Sequence, residues 1–497
     1  MTSPTSPDAQ PEGSRPVAGE GDGRARQAVV LIHGIGDQRP MGTLRGFVDG
    51  LDLGRAWSKP DRLSDNLELR RMSVFGRYRP PTDLYELYWA HHSPESSPTQ
   101  VLSWALRMLL RPRAWRGSPV APLVALIQLV GLLSAVAAVV ILVLTLWQDG
   151  LAGVPRSEPL WITTAIALLQ GVSRPLLSRR IADAQRYLSP RPDNIESRTA
   201  IRREGLELLR RLHTAGVYER VVVVGHSLGS VIGYDILRLY WDEARHPDID
   251  RAGRQPEVEQ FSLDYPDPLS VRSGAVHIFQ EAQHRLWREF RERGVPWLVT
   301  DFITLGSPLC HARVLLETPD ASLQRRQDDL EFPTCPPMPS LDPQDVDDER
   351  EPAFIPEVLR RGSGEDQLVR QVLVGNHGAL FGPTRWTNLY FPVRRWVGGD
   401  LVAGPLAPVF GTGILDIPVR HSTPPGGWWR RWVPLRPHLL YWAPLTDPDA
   451  VPSERERRRA QDRRLGTKEA VPALVHALGL DTRRSRRPLP PPDPAGP

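Results

Sequence analysis

Lysine is almost missing from this 497-residue chain: Lys59 and Lys468 are its only two. The formal charge of +4 and the pI near 9.2 therefore rest on arginine. Those arginines are scattered rather than gathered on one face or along one helix, which excludes the electrostatic footprint of a nucleic-acid binder and points to a GC-rich genome instead. Cysteine is equally scarce. Cys310 and Cys335 cannot build a disulfide framework and show no metal-ligand spacing, so a reducing compartment suits them. No H-E-x-x-H string occurs, and neither a metal nor a cofactor is expected. Residues 1–26 lack the charged and apolar regions of an export signal and are rich in Pro, Gly and Ser, as an unstructured tail would be. There is no internal repeat.

Charge itself disappears between Arg116 and Asp149. Within that gap Val120 to Trp147 is almost continuously apolar, long enough for the roughly 20 helical residues that a bilayer core requires. Val101, Trp104, Ala105, Met108 and Leu109 precede it at the spacing of an interfacial helix, beside Arg107, Arg111, Arg113 and Arg116. A weaker apolar run, Leu160 to Leu177, follows and is interrupted by Arg174. Segments on its two sides, at His33-Gly34 and at Ser227, must meet in one site, so the chain has to cross an even number of times. A helical hairpin with arginines on its outer flanks is expected, with the rest of the protein on the cytoplasmic side of the inner membrane.

What is present outside this segment alternates between buried strands and helices. Ala28 to Ile32 is a short apolar run ending in His33-Gly34-Ile35-Gly36, as a parallel strand followed by a tight turn would be. Leu84 to Trp89, Val221 to Val224, Phe302 to Leu305, Trp386 to Tyr390 and Ile414 to Val419 read as further strands. The stretch from Glu317 to Glu351 is acidic, proline-rich and without periodicity, and reads as a surface insertion or lid. From Ser453 onward arginine and proline dominate around one apolar run, Val471 to Leu480.

Four valines run directly into Gly225-His226-Ser227-Leu228-Gly229. The G-x-S-x-G string alone arises by chance in roughly a fifth of chains this long; a strand before it and an apolar helix after it supply the sharp turn on which a nucleophilic serine sits. Small residues at Gly225 and Gly229 let the chain turn without collision, and Gly233 lets the helix lie close to the sheet. Developing negative charge on a substrate oxygen would be met by the backbone N–H of Leu228 and by that of Ile35 or Gly34. His33 reads as a structural residue closing the first turn.

These residues carry a resemblance. Leu31-Ile32-His33-Gly34-Ile35-Gly36 and Val223-Val224-Gly225-His226-Ser227-Leu228-Gly229 look like the α/β-hydrolase superfamily, in its lipase and esterase branch, and Trp386-x-Asn388-x-Tyr390 is similar to the acid-bearing strand of bacterial lipase-like members. The likeness covers about 270 residues in three pieces. It implies a doubly wound, mostly parallel α/β sheet, here with an inserted transmembrane helical hairpin, and the chain order nucleophile, acid, base. Asp400, in a glycine-flanked loop after the Trp386 strand, fits the acid. Asp416 lies inside its strand and Asp301 before its own. His438, in Pro437-His438-Leu439-Leu440-Tyr441-Trp442, fits the base, with His421 as the alternative; His377 precedes the acid strand and reads as structural. The expected organisation is a tail (1–26), core pieces (27–100, 191–316 and 371–450), a membrane insertion (101–190), an acidic insertion or lid (317–370) and a basic tail (451–497). The expected activity is hydrolysis of a lipid or other hydrophobic ester beside a lipid bilayer. A thioesterase or amidase using the same triad, or an inactive interaction protein on the same fold, stays open.

Overall fold

The computed structural model describes residues 26–35, 39–64, 66–76, 79–92, 192–316, 321–341, 350–361, 367–393, 399–419, 437–442 and 469–480, with isolated positions between 121 and 188. In chain order the elements are β1 (Arg26–Ile32), α1 (Gly42–Gly50), β2 (Ala56–Pro60), β3 (Arg70–Gly76), β4 (Arg79–Leu87), a 3-10 turn (Ala90–His92), α2 (Pro192–Thr214), β5 (Tyr218–His226), α3 (Leu228–Ala244), α4 (Pro256–Asp264), α5 (Val276–Glu292), β6 (Val299–Leu305), α6 (Ala312–Leu315), α7 (Leu323–Asp328), β7 (Ser340–Leu341), β8 (Arg350–Glu351), β9 (Phe354–Arg361), β10 (Leu368–Gly375), β11 (Arg385–Tyr390), α8 (Ala407–Phe410), β12 (Leu415–Pro418) and α9 (Ala470–Leu478).

Eight strands form one mixed sheet in the order β12-β11-β6-β5-β1-β4-β3-β2. Pairing is parallel from β12 through to β4 and antiparallel across β4, β3 and β2. The apolar runs are continuous because the parallel strands are covered on both faces. Along β1, Ala28, Val30 and Ile32 enter one core while Val29 and Leu31 enter the other, and along β5 Val221 and Val223 part in the same way from Val222 and Val224. Residues of α2, α3 and α5 fill the first core; those of α1 and α9 fill the second. Each fully buried valine or leucine contributes roughly 1.5–3 kcal/mol.

The expected fold class needs correction. The sheet is mixed, and among the described residues no helix is long and apolar enough to cross a membrane. The two runs expected to form the transmembrane hairpin, Val120 to Trp147 and Leu160 to Leu177, lie outside the described residues apart from isolated positions. Hydropathy counts apolar side chains without reporting whether one unbroken helix carries them, so it gives length but not path. The antiparallel edge escaped the sequence because β2 and β3 carry Lys59, Arg70 and Arg71 among few apolar residues.

Two further expectations change. Part of the supposed surface insertion belongs to the core: Leu323, Phe332 and Cys335 are buried in the larger cluster, and Phe354 heads the β9–β10 hairpin against it. The supposed tail returns to the sheet as α9, burying Ala470, Ala473, Leu474 and Leu478 in the second core. Arg220 of β5 caps this helix by donating to the carbonyls of Leu478 and Gly479, and Gln27 of β1 donates to that of Leu480.

Candidate active site

Parallel strands that share a direction deliver their C-terminal ends to one edge of the sheet. Register places Ile32 beside Gly225, His226 beside Leu305, and Leu389 beside Leu305. The residues that follow these positions, namely His33-Gly34, Ser227, Gly306-Ser307 and Phe391, whose carbonyl accepts from the Asp400 N–H at 3.1 Å, therefore gather at that edge.

Ser227 occupies the turn from β5 into α3 with φ 53° and ψ −128°, a left-handed conformation that a residue with a Cβ adopts only when its surroundings enforce it. They do so here through the Ser227 N–H, which donates to the Leu305 carbonyl (2.9 Å), and the Ser227 carbonyl, which accepts from the Ser230 N–H (2.9 Å) and hydroxyl (2.6 Å). Space enforces the rest: a Cβ on Gly229 would lie 2.2 Å from the Ile32 carbonyl oxygen, and one on Gly225 would lie 2.5 Å from Ser230 Cα. The β1 turn is just as close, since a Cβ on Gly34 would come within 2.8 Å of Ser227 Cβ. Gly34 thus lies against Ser227, with half-buried Ile35 next to it in sequence and Leu228 following Ser227 at the start of α3.

His438 and Asp400, 38 residues apart, meet through a 2.8 Å bond between Nδ1 and Oδ2. Both are buried. Burial by itself raises the Asp400 carboxyl, but the charge and bond of His438, the Tyr441 hydroxyl and the Val402 N–H outweigh it and hold Asp400 below the usual range. An ionised Asp400 can only accept, so Nδ1 of His438 is the donor in this bond. His226, next to Ser227 in sequence, donates from Nε2 to the His438 carbonyl at 2.8 Å, and their rings lie 5.0 Å apart. His226 thus links the turn at Ser227 to the segment that carries His438. No hydrogen bond joins Ser227 to His438 among the described residues; such bonds commonly tighten only once substrate is bound.

Ser227, Asp400, His438, Gly34, Ile35, Leu228, Gly225 and Gly229 are thus brought together, while His421 lies outside the described residues. The other carboxylates considered have structural partners: Asp416 accepts from the Leu406 and Ala407 N–H groups and from Asn388, and Asp301 pairs with Arg385. His377 is exposed in the turn after β10. His33 is structural, stacked on Trp89 with centroids 5.0 Å apart, bonded through Nδ1 to the Gly34 carbonyl, and pushed down to about 4 by burial.

Sequence reading missed several supports. Tyr441 donates to the same Asp400 oxygen that His438 uses (2.8 Å), and burial together with that carboxylate raises its phenol and keeps it a donor. His311 bonds the Leu401 carbonyl (3.2 Å) and so pins the backbone next to Asp400 to the segment after β6. The aromatic pair Tyr441-Trp442 was the one visible signal of this shell. A cavity of about 910 Å³ between α7 and α8, lined by Arg313, Gln327 and Thr334 among others, includes no member of the Ser227–His438–Asp400 group and is separate from it. Comparison of the chain with protein-family models, curated proteins and solved structures finds no match.

Proposed function

We propose that this chain is a serine hydrolase of the α/β-hydrolase superfamily that cleaves ester bonds through an acyl-enzyme. The observation that carries this reading is the strained Ser227 backbone at a strand-to-helix turn, whose preceding residue His226 bonds the backbone of a buried histidine, His438, whose Nδ1 is bound by a carboxylate. Strain of this kind costs on the order of 1–3 kcal/mol and is retained where it presents a reactive group.

In the proposed reaction the Ser227 Oγ attacks the substrate carbonyl carbon while His438 Nε2 accepts its proton. Backbone N–H groups of Leu228 and of Ile35 or Gly34 receive the oxyanion. As the tetrahedral intermediate collapses, the C–O bond to the leaving alcohol breaks and His438 returns the proton to that oxygen. Water, deprotonated by His438, then attacks the acyl-enzyme and releases the acid with Ser227 restored. Asp400 holds the imidazole tautomer and stabilises the imidazolium. The reaction needs neither metal nor cofactor. A hydrophobic acyl substrate, met at a bilayer on its cytoplasmic side, is proposed from the arginine-flanked apolar sequence between residues 101 and 190.

The test is labelling by a fluorophosphonate probe together with turnover of short-chain nitrophenyl esters by the purified chain and by Ser227→Ala. Labelling and turnover should both vanish in the variant, by several orders of magnitude in rate. A wild-type chain that neither labels nor turns over any ester would fit an interaction protein instead, and undiminished activity in Ser227→Ala would remove the serine from the chemistry.

A further inference from the structure

Beyond β4 the chain turns through Ala90–His92, and there two histidines and a carboxylate converge. His92 Nε2 lies 2.8 Å and His91 Nε2 3.7 Å from the same oxygen, Oε2 of Glu204 on α2. One ligand atom from each of the three lies within 4.8 Å of the others. Neighbouring residues ordinarily point apart, yet the 3-10 turn brings the His91 and His92 rings to 3.8 Å. The approach is also held from outside. Ser197, seven residues before Glu204 and on the same face of α2, donates to the His92 carbonyl at 2.5 Å, and the His91 ring hydrogen-bonds the Tyr88 carbonyl. Buried Ile201 lies between Ser197 and Glu204 and seats this face of the helix in the core.

We propose that His91, His92 and Glu204 bind a divalent cation of the zinc class. Two imidazole nitrogens and one carboxylate oxygen are a nitrogen-rich set that suits zinc, cobalt or nickel rather than magnesium or calcium. Three protein ligands with a water in the fourth position is the composition of an open tetrahedral site. Ligand atoms around such an ion stand roughly 3.3 Å apart, given bonds of about 2.0–2.1 Å, and the 2.8 and 3.7 Å separations bracket that spacing. Hydrogen bonds from a ligand ring to a backbone carbonyl, like that of His91 to Tyr88, are what orient histidines toward metals. His91 is exposed, which leaves a route for the ion and a place for the water.

The position gives the site a consequence. An ion here ties the turn after β4 to α2, and the turn leads straight to the nucleophile's neighbour. Tyr88 stacks on His91 at 5.6 Å and flanks His33 at 5.4 Å; Trp89 stacks on His33 and donates from Nε1 to its carbonyl at 2.9 Å. His33 precedes Gly34, the residue against Ser227. Metal occupancy stiffens the loop bordering Ser227 without touching the reacting atoms.

The test is titration of the purified, chelator-treated full chain with Zn2+ by calorimetry, with Co2+ absorption as a second readout of coordination. One equivalent should bind, the cobalt form should show the visible bands of four-coordinate geometry, and the melting temperature should rise with zinc. His92→Gln and Glu204→Gln should each weaken binding roughly 100-fold or more, whereas His246→Gln, which removes a histidine near Glu357 elsewhere on the surface, should leave it unchanged. Glu204→Gln can still hydrogen-bond His92, so its far-ultraviolet dichroism should match wild type. Absence of stoichiometric binding by the wild type, or equal loss in His246→Gln, would overturn the site; binding by the two ligand variants as tight as wild type would do the same.

Discussion

His226 donates its Nε2–H to the backbone carbonyl of His438 across 212 positions of sequence, at 2.8 Å. The side chain beside Ser227 thereby fixes the backbone that carries His438, the proposed base. Burial, followed by the nearby His438, pushes His226 down to about 3, so it stays neutral and keeps the single N–H that this contact uses. Removing one buried hydrogen bond leaves its partner unsatisfied at a cost of about 1–3 kcal/mol. His226→Leu should lower kcat roughly tenfold or more with little change in KM, and His226→Gln, which restores a donor, should recover part of it. Equal activity of His226→Leu and wild type in ester-hydrolysis assays would show that the contact does not position the base.

Asp400 serves two donors through one oxygen, His438 and Tyr441, each at 2.8 Å. The two bonds differ in role. Asp400→Asn removes the charge that selects the Nδ1–H tautomer and should cost roughly 10⁴ in kcat. Tyr441→Phe leaves that charge in place and should cost only about tenfold, chiefly through looser placement of the carboxylate. Steady-state kinetics of the two folded variants tests this ranking, and a Tyr441→Phe loss as large as that of Asp400→Asn would make the phenol part of the reaction itself.

His213 connects the fold to pH at a place remote from the triad. Its Nδ1 bonds the Leu209 carbonyl (2.8 Å), and its Nε2 accepts from the Leu298 N–H (2.9 Å), so protonation must break the second bond. Burial holds it at about 4, below its ordinary 6.5. A histidine depressed in the folded state takes up its proton first in the unfolded chain. Its contribution to stability is therefore full above pH 6.5 and is lost as pH falls toward 4. His33 and His226, at about 4 and about 3, act in the same direction. Urea midpoints should fall steadily from pH 7 to pH 5, and His213→Gln should flatten that slope; an unchanged slope in the variant would remove His213 from the linkage.

Legibility divided along physical lines. β1, β5 and β6 were readable because strands buried on both faces are short continuous apolar runs, and each led into a glycine or serine at the sheet edge, whereas β11 was read from the Trp386-x-Asn388-x-Tyr390 pattern. The strand-to-helix turn at Ser227 was legible in Gly225-x-Ser227-x-Gly229 between a valine run and an apolar helix, and the pairing of Asp400 with His438 matches two residues singled out from chain order and from the aromatic company of His438. Tyr441's bond to Asp400 was not readable, since a tyrosine in an apolar segment carries no mark of its partner 41 residues away. Nor were Glu204 and the His91-His92 doublet, whose meeting depends on how α2 lies beside β4. In the proline-rich stretch before β9, Leu323, Phe332 and Cys335 are too sparse to show a period, and they are buried by contacts distant in sequence.

Glu86 links stability to pH in the opposite sense to His213. It sits on β4 opposite Leu31 of β1, only 2% exposed, and among the described residues neither carboxylate oxygen has a partner at good hydrogen-bond geometry. The start of α1 lies nearest: Met41 and Leu44 through their backbones and Thr43 through its side chain pull the carboxyl down, but burial outweighs them and pushes it up to about 7. Between pH 4.5 and about 7 the folded chain therefore holds a proton on Glu86 that the unfolded chain has released. The stability tied to that proton is fully present below pH 4.5 and is lost as pH rises through 7. Glu86→Gln keeps the shape and removes the ionisation, so relative to wild type it should gain on the order of 1–3 kcal/mol in going from pH 4 to pH 8. Urea unfolding of both chains at the two pH values measures the difference directly. A variant whose deficit or advantage is the same at pH 4 and pH 8 would mean that Glu86 ionises in the folded protein as it does in water.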